Sequence, residues 1–231
     1  MRLLIFVFFA FGLASPSLRA ARPFVTDDAR LTNAGACQLE SWTRVYSDSR
    51  ELWALPACNP SGNLEVTLGA GLARTNGQAQ TDDYVLQFKT LFQSLTTNGW
   101  GMGLAAGTVT HTNPQPGPNG LGNQYIYVPL SRSLDDDRWI IHHNIGMIRD
   151  RASGLYSATY GLGGEAQINA RLLGIAEVYG DSRGNSFGQV GFRYAIIPDL
   201  FQVDTTLGNG LGGPNKRPWI SIGLRYTPTS F

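Results

Sequence analysis

The chain has 231 residues, of which 42% are hydrophobic and only 15% charged, against about 25% charged in an ordinary soluble domain. Its 18 basic and 17 acidic side chains leave a net charge of +1, too little field to steer a charged partner, and no nucleic-acid partner is expected. The length suits one domain or one small barrel, and the shortage of charge points toward lipid.

The first stretch, MRLLIFVFFAFGLASPSLRA, sets Arg2 before an apolar run from Leu3 to Ala14 and ends in small residues, the three regions of a secretory signal. A membrane anchor is the other reading, but a spanning helix needs about 20 apolar residues. Residues 1–20 are therefore expected to be a signal peptide, cut after Ala20 or Ala21, and no later stretch offers a transmembrane helix. Losing Arg2 and Arg19 with it turns the net charge from +1 to −1. The segment that follows, ARPFVTDDARLTNAG, does not alternate, and residues 21–35 are read as an N-terminal periplasmic or plug segment.

From residue 36 the period is two rather than 3.6. ACQLESWTRVY and LWALPAC fit a hairpin about Ser47 and Asp48, with Cys37 and Cys58 opposite each other on one face. In an oxidising compartment that placement suits a disulfide, and no partner motif suggests a metal or redox role. LEVTLGAGLA sets Leu64, Val66, Leu68 and Leu72 against Glu65, Thr67 and two glycines. YVLQFKTLF, WGMGLAAGT and YSATYGLGGEAQI repeat the pattern, each with one apolar face and one small or polar face. The last strand, WISIGLRY, sets Ile220, Ile222, Leu224 and Tyr226 against Trp219, Ser221, Gly223 and Arg225.

Turn signals at 47–49, 59–63, 75–83, 95–99, 112–124, 135–137, 153–154, 169–171, 181–185, 198–199 and 208–217 divide this region into about twelve strands. Most have the roughly ten residues that a tilted strand needs to cross a bilayer. Every second connection is compact if the first strand starts in the periplasm, and the longest loops, 112–124 and 208–217, fall in the outer set. Residues 36–231 are thus expected to form an all-β, closed antiparallel transmembrane β-barrel of about twelve strands. A soluble sandwich is the competing architecture.

Alternation turns Glu40, Arg44, Glu65, Lys89, Arg138, His142, Glu165, Glu177, Arg193, Asp204 and Arg225 into the lumen. The opposite phase would aim several of them at lipid, where a midplane Arg or Lys costs about 2–4 kcal/mol. Their signs nearly cancel, which favours ion pairing inside, with a solute-selecting constriction as the functional alternative. Trp100, Tyr84, Tyr125, Trp139, Tyr156, Trp219 and Tyr226 lie near strand ends, as interfacial girdles do.

HHNIG is the histidine cluster. The phase turns His143 outward with Leu130 and Gly164 as neighbours, so no nucleophile stands beside it for hydrolysis. His142 and Asn144 on the inner face are weak metal ligands alone, and His111 is placed on an outer loop. GNGLGG at 208–213 lacks a following helix and a lysine and reads as an outer loop. No catalytic residue, metal or cofactor is expected.

RPFVTDDA after the signal, the run of amphipathic strands and the aromatic end resemble the bacterial family labelled MetA-pathway of phenol degradation. That resemblance implies an outer-membrane barrel passing small aromatic or hydrophobic solutes. Pro228 interrupts the run to Phe231, a departure from the usual barrel end read by the assembly machinery. The expected partners are outer-membrane lipid, the barrel-assembly machinery and a small-molecule solute; the sequence sets no oligomeric state. A closed structural or adhesive barrel and a secreted soluble β-protein binding a small ligand are the alternatives to a passive-diffusion transporter.

Overall fold

A computed structural model describes residues 24–76, 80–111, 122–212 and 216–228. The expected signal peptide, most of the 112–124 loop and Phe231 lie outside the described residues. Twelve strands form: β1 (Ala36–Tyr46), β2 (Ser49–Asn59), β3 (Glu65–Thr75), β4 (Thr81–Gln93), β5 (Trp100–His111) and β6 (Asn123–Leu134), then β7 (Trp139–Arg149), β8 (Tyr156–Asn169), β9 (Leu172–Asp181), β10 (Ser186–Ile197), β11 (Phe201–Gly210) and β12 (Trp219–Tyr226). Each pairs antiparallel with its neighbour in sequence, and β12 closes on β1 from Leu39–Tyr226 to Tyr46–Trp219. Closure removes the unpaired edge that a half-greasy sheet would otherwise present.

The barrel is inside out relative to a soluble protein. Fully enclosed positions are filled by Arg193, His142, Glu165, Asn59, Thr206 and serines, and the buried apolar cluster among the described residues is Leu173 against Ala195. Outside, Ile145 is 73% exposed and Leu68, Phe92, Leu162, Val190, Leu207 and Ile222 stand out with it. Water would penalise this surface at roughly 25 cal/mol per Å² of apolar area, whereas hydrocarbon leaves it covered. Outward-facing charges in the strands, Arg50, Arg74, Asp82, Arg132 and Arg149, all lie within three residues of a strand end. The apolar band between them is the signature of a transmembrane barrel.

One rim, where β1 begins, carries the short connections 60–64, 94–99, 135–138, 170–171 and 198–200. At the opposite rim β5 ends at His111, β6 begins at Asn123, β11 ends at Gly210 and β12 begins at Trp219. Bulges fall at Leu91/Gln93 in β4, Gln167/Asn169 in β8 and Ala195/Ile197 in β10, all near the first rim. Two inward glycines make room for rings: a Cβ on Gly71 would meet the Trp53 indole at 2.5 Å, and one on Gly208 would overlap the Trp219 ring.

Several expectations are corrected by strand phase. Tyr125 and Trp219 face inward, Trp219 being only 5% exposed, so neither belongs to an outer girdle. Trp100, Tyr84, Trp139, Tyr156 and Tyr226 do face out. Gly208 to Gly210 continue β11 instead of starting a loop, and His111 ends β5 opposite Asp83. His143 does point outward, but its cross-strand neighbours are Leu130 and Leu162, not Gly164.

Candidate functional site

The lumen is crossed by residues 24–35, which run without helix or strand from the first rim toward the far wall. A buried irregular chain must find partners for its peptide groups, and the inward faces of five strands supply them. Glu177 on β9 accepts the Val25 N–H at 2.8 Å and the Thr26 N–H at 2.9 Å. Ser131 on β6 accepts the Ala29 N–H at 2.9 Å, and Glu65 on β3 accepts the Thr32 N–H at 2.7 Å. Asn59 at the end of β2 donates to the Thr32 carbonyl at 2.7 Å. Asn144 on β7, with its carboxamide oriented to suit both groups, accepts the Asp27 N–H at 2.7 Å and donates to the Asp27 carbonyl at 2.9 Å.

Side chains fix the segment as well. The Lys89 ammonium on β4 donates to Asp27 at 2.7 Å and to Asp28 at 3.4 Å, and the Tyr127 hydroxyl donates to the other Asp27 oxygen at 2.7 Å. Lys89 is 3% exposed, so removing its carboxylates would strand a buried charge, a loss of about 3–5 kcal/mol for such a pair. Thr26 stands against Gly161 and Gly163 of β8, and the Phe24 ring meets His142 edge-on at 5.6 Å.

Between this segment and the inner faces of β1 to β6 lies a cavity of about 380 Å³, within the roughly 300–1,000 Å³ range of small-molecule sites. Its walls carry two aromatic pairs. Trp42 on β1 stacks on Trp53 of β2 with ring centres 5.8 Å apart, and Tyr125 lies 6.1 Å from Tyr127 on β6. The Gln87 carboxamide oxygen accepts from both tyrosine hydroxyls, at 3.0 and 3.1 Å. Asp27, Lys89 and Arg225 give the floor and one flank their charge. The arrangement can hold a flat apolar body against rings while a polar group meets the floor.

Other inward charges pair among themselves or with neutral side chains. His142 lies 3.5 Å from Glu165, Arg193 lies 3.9 Å from the same carboxylate, and Arg193 stands opposite Asp204 across β10 and β11. Arg225 donates to Gln38 at 3.1 and 2.7 Å and approaches Glu40 at 4.0 Å. Arg44 lies over the Trp219 ring, 5.1 Å from its centre. Ten of the eleven residues assigned to the lumen by alternation point into it. Arg138 does not: it sits in the β6–β7 turn, 65% exposed, 3.7 Å from Asp135. Asp135, Asp136 and Asp137 all have left-handed φ angles, from 52° to 66°, so the pleat ends before Arg138 and strand parity no longer applies.

Cys37 and Cys58 pair across β1 and β2 and are joined by a disulfide. It lies on the outer face, because Gln38 and Ala57 occupy the inner one. Ser131, missed from the sequence, bonds His142 Nδ1 at 2.8 Å. Serine, histidine and glutamate thus adjoin one another, but all three are enclosed and the Ser131 oxygen already takes the Ala29 N–H, so no substrate carbonyl reaches it. Tyr127 and Asn59 were also missed, and Asn144 was placed on the inner face but not as a partner of residues 24–35. Period-two phase could have placed them inside, but only the fold of residues 24–35 makes them a site.

The family described as uncharacterised conserved protein UCP029691 matches residues 9–227. No curated protein is similar in sequence. Among solved structures, the KdgM porin superposes with a TM-score of 0.63 at 7% identity, over 82% of this chain and 98% of that one. An outer membrane channel from Pseudomonas putida F1 gives 0.62 at 11% identity, over 87% and 98%. The NanC porin gives 0.58 at 13% identity, over 83% and 99%. At these identities the likeness is one of fold.

Proposed function

The chain belongs to the uncharacterised family UCP029691, and we propose that it is an outer-membrane barrel through which small solutes diffuse passively. In this reading residues 1–20 export the chain and are removed, the barrel-assembly machinery inserts residues 36–231, and residues 21–35 plug the lumen. The observation that carries the reading is the cavity of about 380 Å³ set inside a polar lumen, with ring-lined walls and a charged floor. Its two aromatic pairs favour small solutes with an apolar, planar body. The likeness to the phenol-degradation family agrees with such solutes, and the part of it that is distinctive, RPFVTDDA, is largely the segment that floors the cavity. Fractionation places the test of location: the protein should follow the detergent-extracted outer membrane and shift on a gel after boiling. Purified protein in liposomes should then admit a small planar alcohol or phenol faster than empty liposomes do. Absence of both solute uptake and conductance refutes the transport reading.

A closed structural barrel is the second reading, favoured by the crossing of the lumen by residues 24–35. It predicts an intact, heat-modifiable barrel that stays impermeable even when that segment is removed. The apolar outer band weighs against a soluble ligand-binding protein. An outward His143 flanked by leucines weighs against a lipase-like site.

A further inference from the structure

We infer that residues 24–33 are a releasable gate, held by a seat in the lumen wall that recognises peptide main chain, and that solutes pass when this segment leaves its seat. The inference rests on the channel reading above and names the regulation of that path. Five N–H groups of the segment, at positions 25, 26, 27, 29 and 32, are taken by wall side chains, and two of its carbonyls, at 27 and 32, are met by carboxamides. When the segment leaves, water can take its place at each of these polar groups, which it cannot do for tightly packed apolar contacts. The segment contributes little apolar anchoring: Val25 is half exposed, and Phe24 meets an imidazole and the glycine wall of β8. By contrast, every strand around it is hydrogen-bonded to a neighbour on both sides. Of the structure that encloses the cavity, this piece can depart without breaking the barrel.

Main-chain recognition alone would accept the segment in any register. The register is set by Asp27, whose carboxylate occupies the point where the Lys89 ammonium and the Tyr127 hydroxyl converge, with Asp28 on the same ammonium. This latch sits at the floor of the cavity, so the group that locks the gate also faces the arriving solute. Release of Asp27 joins the cavity to the space that the segment fills.

A cysteine pair tests the gate in the full mature chain. A Cβ added at Gly163 would stand 3.6 Å from the Thr26 Cβ, within the roughly 3.5–4.5 Å spanned by disulfides. The double variant Thr26→Cys, Gly163→Cys is compared oxidised and reduced in liposomes for uptake of a phenol, with wild type under the same two conditions correcting for the native Cys37–Cys58 bond. We expect the oxidised form to fall to the level of empty liposomes and reduction to restore wild-type uptake. Deleting residues 24–33 should raise uptake by roughly tenfold or more, as expected if the seated state dominates. A synthetic FVTDDARLTN peptide should lower it again, and more effectively than a scrambled peptide of the same composition. Equal uptake by the oxidised and reduced forms, while the deletion variant conducts, overturns the gate and leaves the channel standing. A folded deletion variant that passes nothing overturns the channel reading, and the gate with it.

Discussion

Glu177→Gln probes how tightly the segment is seated. The Glu177 carboxylate takes two backbone N–H groups, at 2.8 and 2.9 Å, in a position only 4% exposed. Glutamine keeps the side-chain length and one oxygen, so one bond survives as a neutral one, while the other N–H faces an NH2 group. Hydrogen bonds to a charged group contribute about 1.5–3 kcal/mol and neutral ones about 0.5–1.5. The net loss is therefore about 2.5–4.5 kcal/mol, or roughly 60- to 1,600-fold in the opening equilibrium at 1.4 kcal/mol per factor of ten. Amide hydrogen exchange of a peptide covering residues 24–33 should accelerate by that factor, while β8 and β9 keep wild-type protection. The wild-type barrel and the variant should show the same heat-modifiable mobility. Unchanged exchange at Val25 and Thr26 would refute the idea that this carboxylate holds the segment.

Replacing both Cys37 and Cys58 by serine opens a link across 21 residues of sequence and should destabilise the barrel by about 2–5 kcal/mol, read as a lower temperature for the gel shift of boiled samples. Ile145→Arg places a charge in the middle of the apolar band and should cost about 2–4 kcal/mol in a bilayer. A barrel surrounded by water would instead be indifferent to that change or gain solubility. Arg138→Ala removes an exposed pair with Asp135 and should move stability by less than about 1 kcal/mol with no effect on uptake. Deleting residues 24–33 uncovers two carboxylates, Glu65 and Glu177, against one ammonium, Lys89, so the opened barrel should weakly prefer cations, measured as the reversal potential in a potassium chloride gradient.

The strand phase was legible because a sheet that meets lipid on one side and water or polar side chains on the other must alternate, residue by residue. Glu65, Lys89 and Arg193 could each be assigned inward on that ground. The same rule failed at Arg138, where three left-handed aspartates end the pleat, whereas Tyr125 and Trp219 were misplaced because they were assigned by nearness to a strand end instead of by parity. The pairing of His143 with Leu162 in place of Gly164 is a slip of two residues across β7 and β8. Such a slip preserves the facing of every side chain, which is why the facing of His143 was right and its neighbour wrong. Residues 24–35 carried no readable period because their shape is imposed by the wall.

That dependence also changes what the inward acids mean. Near-cancelling signs suggested mutual ion pairing, and Glu165 with His142 and Arg193, or Glu40 with Arg225, fit that description. Glu65 and Glu177 spend their oxygens differently, on the N–H groups of Thr32, Val25 and Thr26. A carboxylate with an N–H partner and a carboxylate with a cation look identical in a sequence, yet they answer different needs. The first satisfies a chain that has no ladder of its own, and the second offsets a buried charge. Asp27 and Asp28 then complete the arrangement from the segment's side, because the two carboxylates within 3.4 Å of the Lys89 ammonium are there only when residues 24–35 are inside. The wall and the segment are therefore complementary in charge as well as in hydrogen bonding, and the lumen of this barrel is built around the chain that enters it.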